Sequence, residues 1–350
     1  MEKLYKKILD KIDDNKYINA SYNVIINGKP LIFMAIVLKR IKLLVKMIDV
    51  KTNLNIFTYP EKLTPLSTAI YMNNIDIVKI LVENNVDINK SVEKDDISPL
   101  MIASEMNNKD IVIILLNNKA DINYVNTEGE SAFKLSIINK SYDVFNYLLN
   151  SKIDINYKFN NDETLLTIAI ENNDKYLVDL LLKKKSDINY CKGFNWRTPV
   201  VLSVQNNSTN VIKSLVEGKS DIDGKDDGLS PLFFSIINDY EECFNILIEL
   251  GANPNKKSRS KDSKGFITPL HISVAENSIK YLELLIENDA DVNMMSSFND
   301  ETPLYIASYM NNYECLEILI NNKANPDILK RETKLSAINI AVKDSDCYKL

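Results

Sequence analysis

The sequence predicts an all-α fold, a solenoid of antiparallel helix pairs with projecting β-turns. Three observations predict it. A short block recurs along the chain: a hydroxyl residue, often Pro, an apolar residue, two variable residues and a small one, as in Thr64-Pro-Leu-Ser-Thr-Ala69 and Ser98-Pro-Leu-Met-Ile-Ala103. The small residue falls at positions 35, 69, 103, 136, 169, 203, 235, 273, 307 and 341, so ten registers repeat every 32 to 38 residues, a period typical of stacked repeat architectures. Between blocks runs a second apolar stripe with helical spacing, closed by an Asx-rich turn.

Each element of the block has a physical reason. Thr or Ser caps a helix start with its hydroxyl, Pro takes the first helical position where its missing N–H is not needed, and the small residue lets neighbouring helices approach. This is helix A. Four residues past the marker stand Asn73, Asn107, Asn173, Asn207, Asn277 and Asn311, and Asn substitutes for Gly where a chain leaves a helix in the left-handed region. Helix B follows, with stripes such as Ile77-Val78 and Ile80-Leu81-Val82. Then comes a D-x-N element, Asp87-Ile-Asn89, Asp121-Ile-Asn123 and their counterparts, whose side-chain oxygens bond nearby backbone and form turns.

These residues resemble the ankyrin repeat, a block of about 33 residues with a T-P-L-H-x-A motif, two antiparallel helices and a projecting β-turn. The resemblance covers residues 17–350, with 1–16 expected as an N-terminal capping helix and the tenth repeat incomplete. One departure stands out. Where the family has Gly before the turn, only Gly251 keeps it, and Asn85, Lys119, Lys152, Lys185, Lys219 and Lys323 replace it elsewhere. A left-handed Lys costs on the order of 1 kcal/mol relative to Gly.

Composition narrows the function. The net charge of −6 argues against a nucleic acid partner. Only four of the 42 basic residues are Arg, and 44 Asn accompany the many Lys, so codon bias from an AT-rich genome precedes any functional meaning of a Lys-rich face. Four cysteines stand far apart without a C-x-x-C, which suits a reducing compartment and no disulfides. The longest apolar run, Leu31 to Leu38, falls far short of a membrane span, and the N-terminus lacks the apolar core of a signal peptide. A single histidine argues against a Ser-His-Asp triad and excludes H-E-x-x-H and multi-His metal sites within one chain, and no phosphate-binding glycine loop is present. His271 sits on the motif's own His position, where its expected role is a loop-tying hydrogen bond, and Cys243 and Cys315 fall on the buried face of helix B.

The expectation is therefore a monomeric, non-enzymatic cytoplasmic scaffold for a protein partner, with no cofactor, no metal and no membrane insertion. The alternative is the targeting or regulatory half of a longer protein, for example a host-directed effector, whose active domain lies beyond Leu350. In the resembling family, partners meet the turns and the outward residues of helix A. Here those positions are two and three past the marker: Tyr71 and Met72, Glu105 and Met106, Ile138 and Asn139, Glu171 and Asn172, Gln205 and Asn206, Ile237 and Asn238, Tyr309 and Met310. The turns add Phe194, Trp196, Arg197 and Phe298; aromatic, Met and Arg side chains are what interface cores are enriched in. Trp196 has two readings, a partner anchor or a ring folded back over the next turn. The stretched interval between 235 and 273 holds a basic insertion at 256–265, read either as a solvated loop dispensable for folding or as a finger for an acidic partner.

Overall fold

The computed structural model describes residues 25–26, 29–92, 95–151, 154–159, 162–192, 197–225, 228, 230–259, 265–297, 300–330 and 332–340. The expected capping helix at 1–16, Phe194, Trp196, Phe298, Lys152 and Cys347 lie outside the described residues. The chain divides into two compact units, Met1–Asn160 and Asn161–Leu350.

In unit 1 the helices alternate A and B: α1 (Leu31–Val37), α2 (Ile41–Asp49), α3 (Pro65–Tyr71), α4 (Ile75–Glu83), α5 (Pro99–Glu105), α6 (Lys109–Asn117), α7 (Ala132–Ile138) and α8 (Tyr142–Leu149). A short ribbon of β1 (Ile25–Ile26) and β2 (Lys29–Pro30) precedes them. Unit 2 continues with α9 (Leu165–Glu171), α10 (Lys175–Lys183), α11 (Pro199–Gln205), α12 (Thr209–Glu217), α13 (Pro231–Ile237) and α14 (Glu241–Glu249). After the strands β3 (Ser258–Arg259) and β4 (Phe266–Ile267) come α15 (Pro269–Ala275), α16 (Ile279–Glu287), α17 (Pro303–Met310), α18 (Tyr313–Asn321) and α19 (Ala337–Ile340). Within each unit the A helices pack on their own B helices and on the A helix of the next pair. The chain is all-α in class, and its few strand residues sit in projecting turns, including the isolated bridges Val92↔Ile97, Val125↔Ser131 and Lys192↔Arg197.

The helices start where the block places them. The side chains of Thr64, Ser98, Ser131, Thr164, Thr198, Thr268 and Thr302 each accept the N3 backbone N–H. Ser230 is the exception. It makes no cap bond, and its own N–H donates to Ser258 Oγ at 2.9 Å. The small markers Ala69, Ala103, Ser136, Ala169, Ser203, Ser235, Ser273 and Ala307 are completely buried. Where the marker is Ser, its hydroxyl returns to its own helix, as in Ser203 Oγ to the Val200 carbonyl at 2.7 Å, so a polar atom enters the core already satisfied.

All six Asn residues expected at the helix A exit are left-handed, from φ 50° at Asn73 to φ 57° at Asn311. Lys39, Lys140 and Asp239 adopt the same conformation in other pairs. The turn lysines Lys119, Lys185, Lys219 and Lys323 also have positive φ, with Gly251 as their glycine counterpart. Their strain is held by stacking on both sides.

The D-x-N element does more than form a local turn. Its first Asx accepts the backbone N–H two residues on, as Asp87 Oδ1 does from Asn89. Its second Asx reaches the next turn: Asn55 Oδ1 accepts from Asp87 N, Asn89 Oδ1 from Asp121 N, Asp223 Oδ1 from Asn253 N, Asn255 Oδ1 from Asp291 N and Asn293 Oδ1 from Asn325 N, at 2.7–2.9 Å. A ladder of side-chain oxygens thus satisfies backbone donors that face solvent at the turn bases.

The basic insertion differs from expectation. Its flanks pair as β3 and β4; Ser258 is fully buried, Arg259 N donates to the Gly228 carbonyl, and Phe266 exchanges backbone and side-chain bonds with Ser297. Only 260–264, outside the described residues, remains a candidate for a dispensable tip.

Candidate functional site

The outward positions lie at the C-terminal ends of the A helices, because a chain that packs its helix face against two neighbours leaves only its end and its turn free. In unit 1 these positions are apolar and exposed: Tyr71 is 42%, Met72 38%, Met106 40% and Ile138 45% accessible. Glu105 stands among them, and the Tyr71 hydroxyl is held above its ordinary pKa by partial burial and by the Glu105 and Asp95 carboxylates. Helix end and turn are therefore neighbours here. Val37, two past the marker Ala35, is exposed on the same register, a position the spacing rule reaches but the reading of the sequence did not include. Beside it a groove of about 480 Å³ opens between Phe33, Met34, Val37 and Tyr59, with the Lys29–Glu61 ion pair at its edge.

In unit 2 the same positions are polar on the first two A helices, and Ile237 on α13 is an exposed apolar residue. Glu171, Gln205, Asn206 and Asn238 come together from three successive A helices, with Arg197 from the adjoining turn, around a groove of about 280 Å³. Glu171 is already paired: Lys192 Nζ lies 2.5 Å from its Oε1 and 3.3 Å from Glu163 Oε1. Asn172, Asn206 and Asn238 each donate Nδ2 to the carbonyl four residues back, at 2.8–2.9 Å, which closes an open helix end. Tyr309, 74% accessible, and Met310 form a further apolar patch on α17. The structure thus brings Glu171, Arg197, Gln205 and Asn206 into one groove of unit 2, whereas Tyr71 and Glu105 end α3 and α5 of unit 1 and Met72 and Met106 cap them.

The groups with chemical potential elsewhere are tied into packing. His271 Nε2 donates to the Glu301 carbonyl at 2.9 Å, so Nδ1 is the acceptor for Thr268 N and Oγ1. Burial lowers its pKa to about 4, keeping the ring neutral. The Cys243 and Cys315 thiols, fully buried, face Asn207 Oδ1 and Asn277 Oδ1 of the preceding helix A exits, and burial raises both to about 11, far from a reactive thiolate. The Tyr281 hydroxyl donates likewise to Asp239 Oδ1 at 2.9 Å. The left-handed exit residue therefore serves as acceptor for the next helix B, a link between pairs that no local spacing reveals. No group of three or more His, Cys, Asp or Glu is gathered for a metal ion among the described residues. No described helix is long and apolar enough to cross a membrane.

The model of tandem ankyrin repeats matches residues 89–159, 166–258 and 256–331, and a single ankyrin repeat matches 61–90. No curated protein matches the chain. Ankyrin repeats are generally protein–protein interaction modules, and proteins built from them are typically non-enzymatic. With capped A helices, left-handed exits, stacked pairs and family matches over well more than half of its length, this chain belongs to the ankyrin-repeat family.

Proposed function

We propose that the chain is a non-enzymatic cytoplasmic scaffold that holds a protein partner across its A-helix ends and adjoining turns, with 17–350 as the array and 1–16 as its cap. The observation that carries this reading is the row of exposed apolar side chains at the C-terminal ends of α3, α5 and α7, Tyr71, Met72, Met106 and Ile138. Apolar side chains repeated at one outward register expose surface that a partner's contact removes from water, and anchors of this kind hold most of an interface's energy. Glu105 in the same row, the polar groove of unit 2, the Tyr309–Met310 patch and the turn residues Phe194, Trp196 and Phe298 extend the proposed surface.

A photo-crosslinking residue at Met72, with a control at exposed Lys213 on helix α12, captures the partner at the first position and not at the second. The double substitution Tyr71→Ala with Met106→Ala then lowers that partner's affinity by about 2 kcal/mol or more, roughly 30-fold, with an unchanged thermal melt. Equal affinity for the double variant overturns the assignment of this face.

A further inference from the structure

We infer that the groove at Arg197 is a subsite for an acidic side chain, Asp or Glu, of an extended peptide segment in the partner. The inference rests on the reading of the A-helix ends as an interaction surface and names the chemistry one part of it recognises.

Three observations lead there. First, the charges lining the groove are unequal in their partners. Glu171 shares Lys192, at 2.5 Å, with Glu163, at 3.3 Å, whereas the Arg197 guanidinium has no side-chain partner among the described residues. Arg197 is the cation of this cluster without a carboxylate of its own, and a guanidinium offers a carboxylate two parallel N–H donors. Second, Gln205 Oε1 is buried without a hydrogen-bond partner. A buried carboxamide oxygen left unpaired is unfavourable by about 1–3 kcal/mol, and turning the Gln205 side chain toward a ligand N–H in the groove removes that penalty. Third, Asn206 and Asn238 direct their Nδ2 groups back to Leu202 and Phe234, so their Oδ1 atoms remain as acceptors around the groove. A carboxylate flanked by backbone N–H groups matches one donor fork surrounded by acceptors. A lone inorganic anion does not, because it has no N–H to give.

Size agrees with this occupant. At about 280 Å³ the groove falls just below the range of roughly 300–1,000 Å³ that encloses small-molecule ligands, and it suits one side chain with its flanking backbone. Phe234 and Leu202 supply an apolar wall for the side-chain methylenes.

The chain has only four arginines, Arg40, Arg197, Arg259 and Arg331, so the full-length protein labelled with ¹⁵N-arginine shows four Nε–H resonances, and Arg197→Lys identifies the one that matters. The probes are a heptapeptide pool randomised around a fixed central Glu, the same pool with central Gln, and sodium phosphate. The Glu pool shifts the Arg197 resonance at least threefold more than the Gln pool, and phosphate at equal concentration shifts it less than the Glu pool. Gln205→Glu, which places a carboxylate beside Arg197 in the chain itself, abolishes the response, and Tyr71→Ala with Met106→Ala leaves it intact. Equal shifts from both pools, an equal or larger shift from phosphate, or an unmoved Arg197 resonance each overturn the inference. None of those results touches the broader scaffold reading, which stands or falls on the crosslinked partner's affinity for the unit 1 face.

Discussion

Units 1 and 2 repeat one helix pair, yet α3, α5 and α7 of the one and α9 and α11 of the other diverge where stacking leaves a side chain alone. On α3, α5 and α7 the outward ends carry Tyr71, Met72, Met106 and Ile138, whereas on α9 and α11 they carry Glu171, Asn172, Gln205 and Asn206. The buried markers show no such split: Ala69 and Ala103 in one unit and Ala169 and Ser203 in the other are all excluded from solvent. A side chain wedged between neighbouring helices is restricted to a narrow volume, while one that ends in water changes without structural penalty. The repeat therefore dictates where an outward residue stands and leaves its chemistry open. The units also fasten their turns differently. Unit 1 has the β1–β2 ribbon and the bridges Val92↔Ile97 and Val125↔Ser131, and unit 2 has the bridge Lys192↔Arg197, the β3–β4 stem and the His271 tie to the Glu301 carbonyl.

The sharpest way to break this comparison is to make unit 2 resemble unit 1. At the N3 position of α3 stands Ser67, which satisfies its own helix start, whereas His271 at N3 of α15 also reaches the Glu301 carbonyl of the next pair. His271→Ser is expected to destabilise α15 and α17 by ~3 kcal/mol, through a lost ring and an orphaned carbonyl, against ~1 kcal/mol for Ser67→Ala. Hydrogen exchange of the two helix sets measures both, and equal losses would show that the His tie adds nothing. Protonation gives a second readout. The folded-state pKa of His271, about 4, lies below its ordinary 6.5, so the unfolded chain takes up a proton that the folded chain refuses. Stability is full above about pH 6.5 and falls as pH drops toward 4, and His271→Ser removes that component of the slope.

A smaller effect separates the stem of the insertion from its tip. Ser258→Ala leaves the buried Ser230 N–H without its acceptor and lowers stability by about 1–2 kcal/mol. Excising 260–264 and joining the strands by a two-residue turn shifts the melting temperature by no more than about 2 °C, because loop closure changes little over so short a length. A large fall on excision would place the tip among the structural elements.

The smallest expected effect tests the Asx ladder. Asp223 stands where Asn55, Asn89, Asn255 and Asn293 occupy the other described rungs, and its pKa is raised, chiefly by burial and further by Asp221, against the opposing Asn253 N–H and Lys256. A raised carboxyl contributes stability that is present in acid and lost as pH rises through its folded-state pKa. Asp223→Asn is therefore expected to raise the melting temperature by about 1 °C at pH 7 and to change nothing well below the ordinary carboxylate pKa of 3.8. A loss at pH 7 would mean that the rung needs a charge.

Much of this was legible in the chain because the deciding interactions are local. Thr64, Ser98 and Thr302 bond three residues ahead, and Asn73 or Asn107 relieve a backbone angle of their own, so spacing alone places them. What escaped the sequence lies about one period away. Asn89 looks like a turn former, but its Oδ1 serves Asp121, 32 residues on; Cys243 looks like filler, but its thiol faces Asn207, 36 residues back. Ser230 carries the helix-start motif, yet its hydroxyl makes no cap bond while its N–H donates to Ser258, which only the hairpin brings there. At the candidate surface the register of Tyr71 and Gln205 was readable, whereas the sharing of Lys192 between Glu171 and Glu163, which leaves Arg197 without a carboxylate of its own among the described residues, depends on where Lys192 folds.

The ladder of second Asx residues has a direction. Each rung takes a hydrogen from the turn that follows, so every junction from Asp223 through Asn255 to Asn293 presents an acceptor on its C-terminal side and a donor on its N-terminal side. Such junctions are interchangeable, like couplings of one gauge. A gene that duplicates or drops a whole period splices a matching hook to a matching eye, and the new neighbour is recognised without any compensating change. The inheritance of turns by this coupling lets the array lengthen or shorten by recombination while the outward residues drift toward whatever they bind.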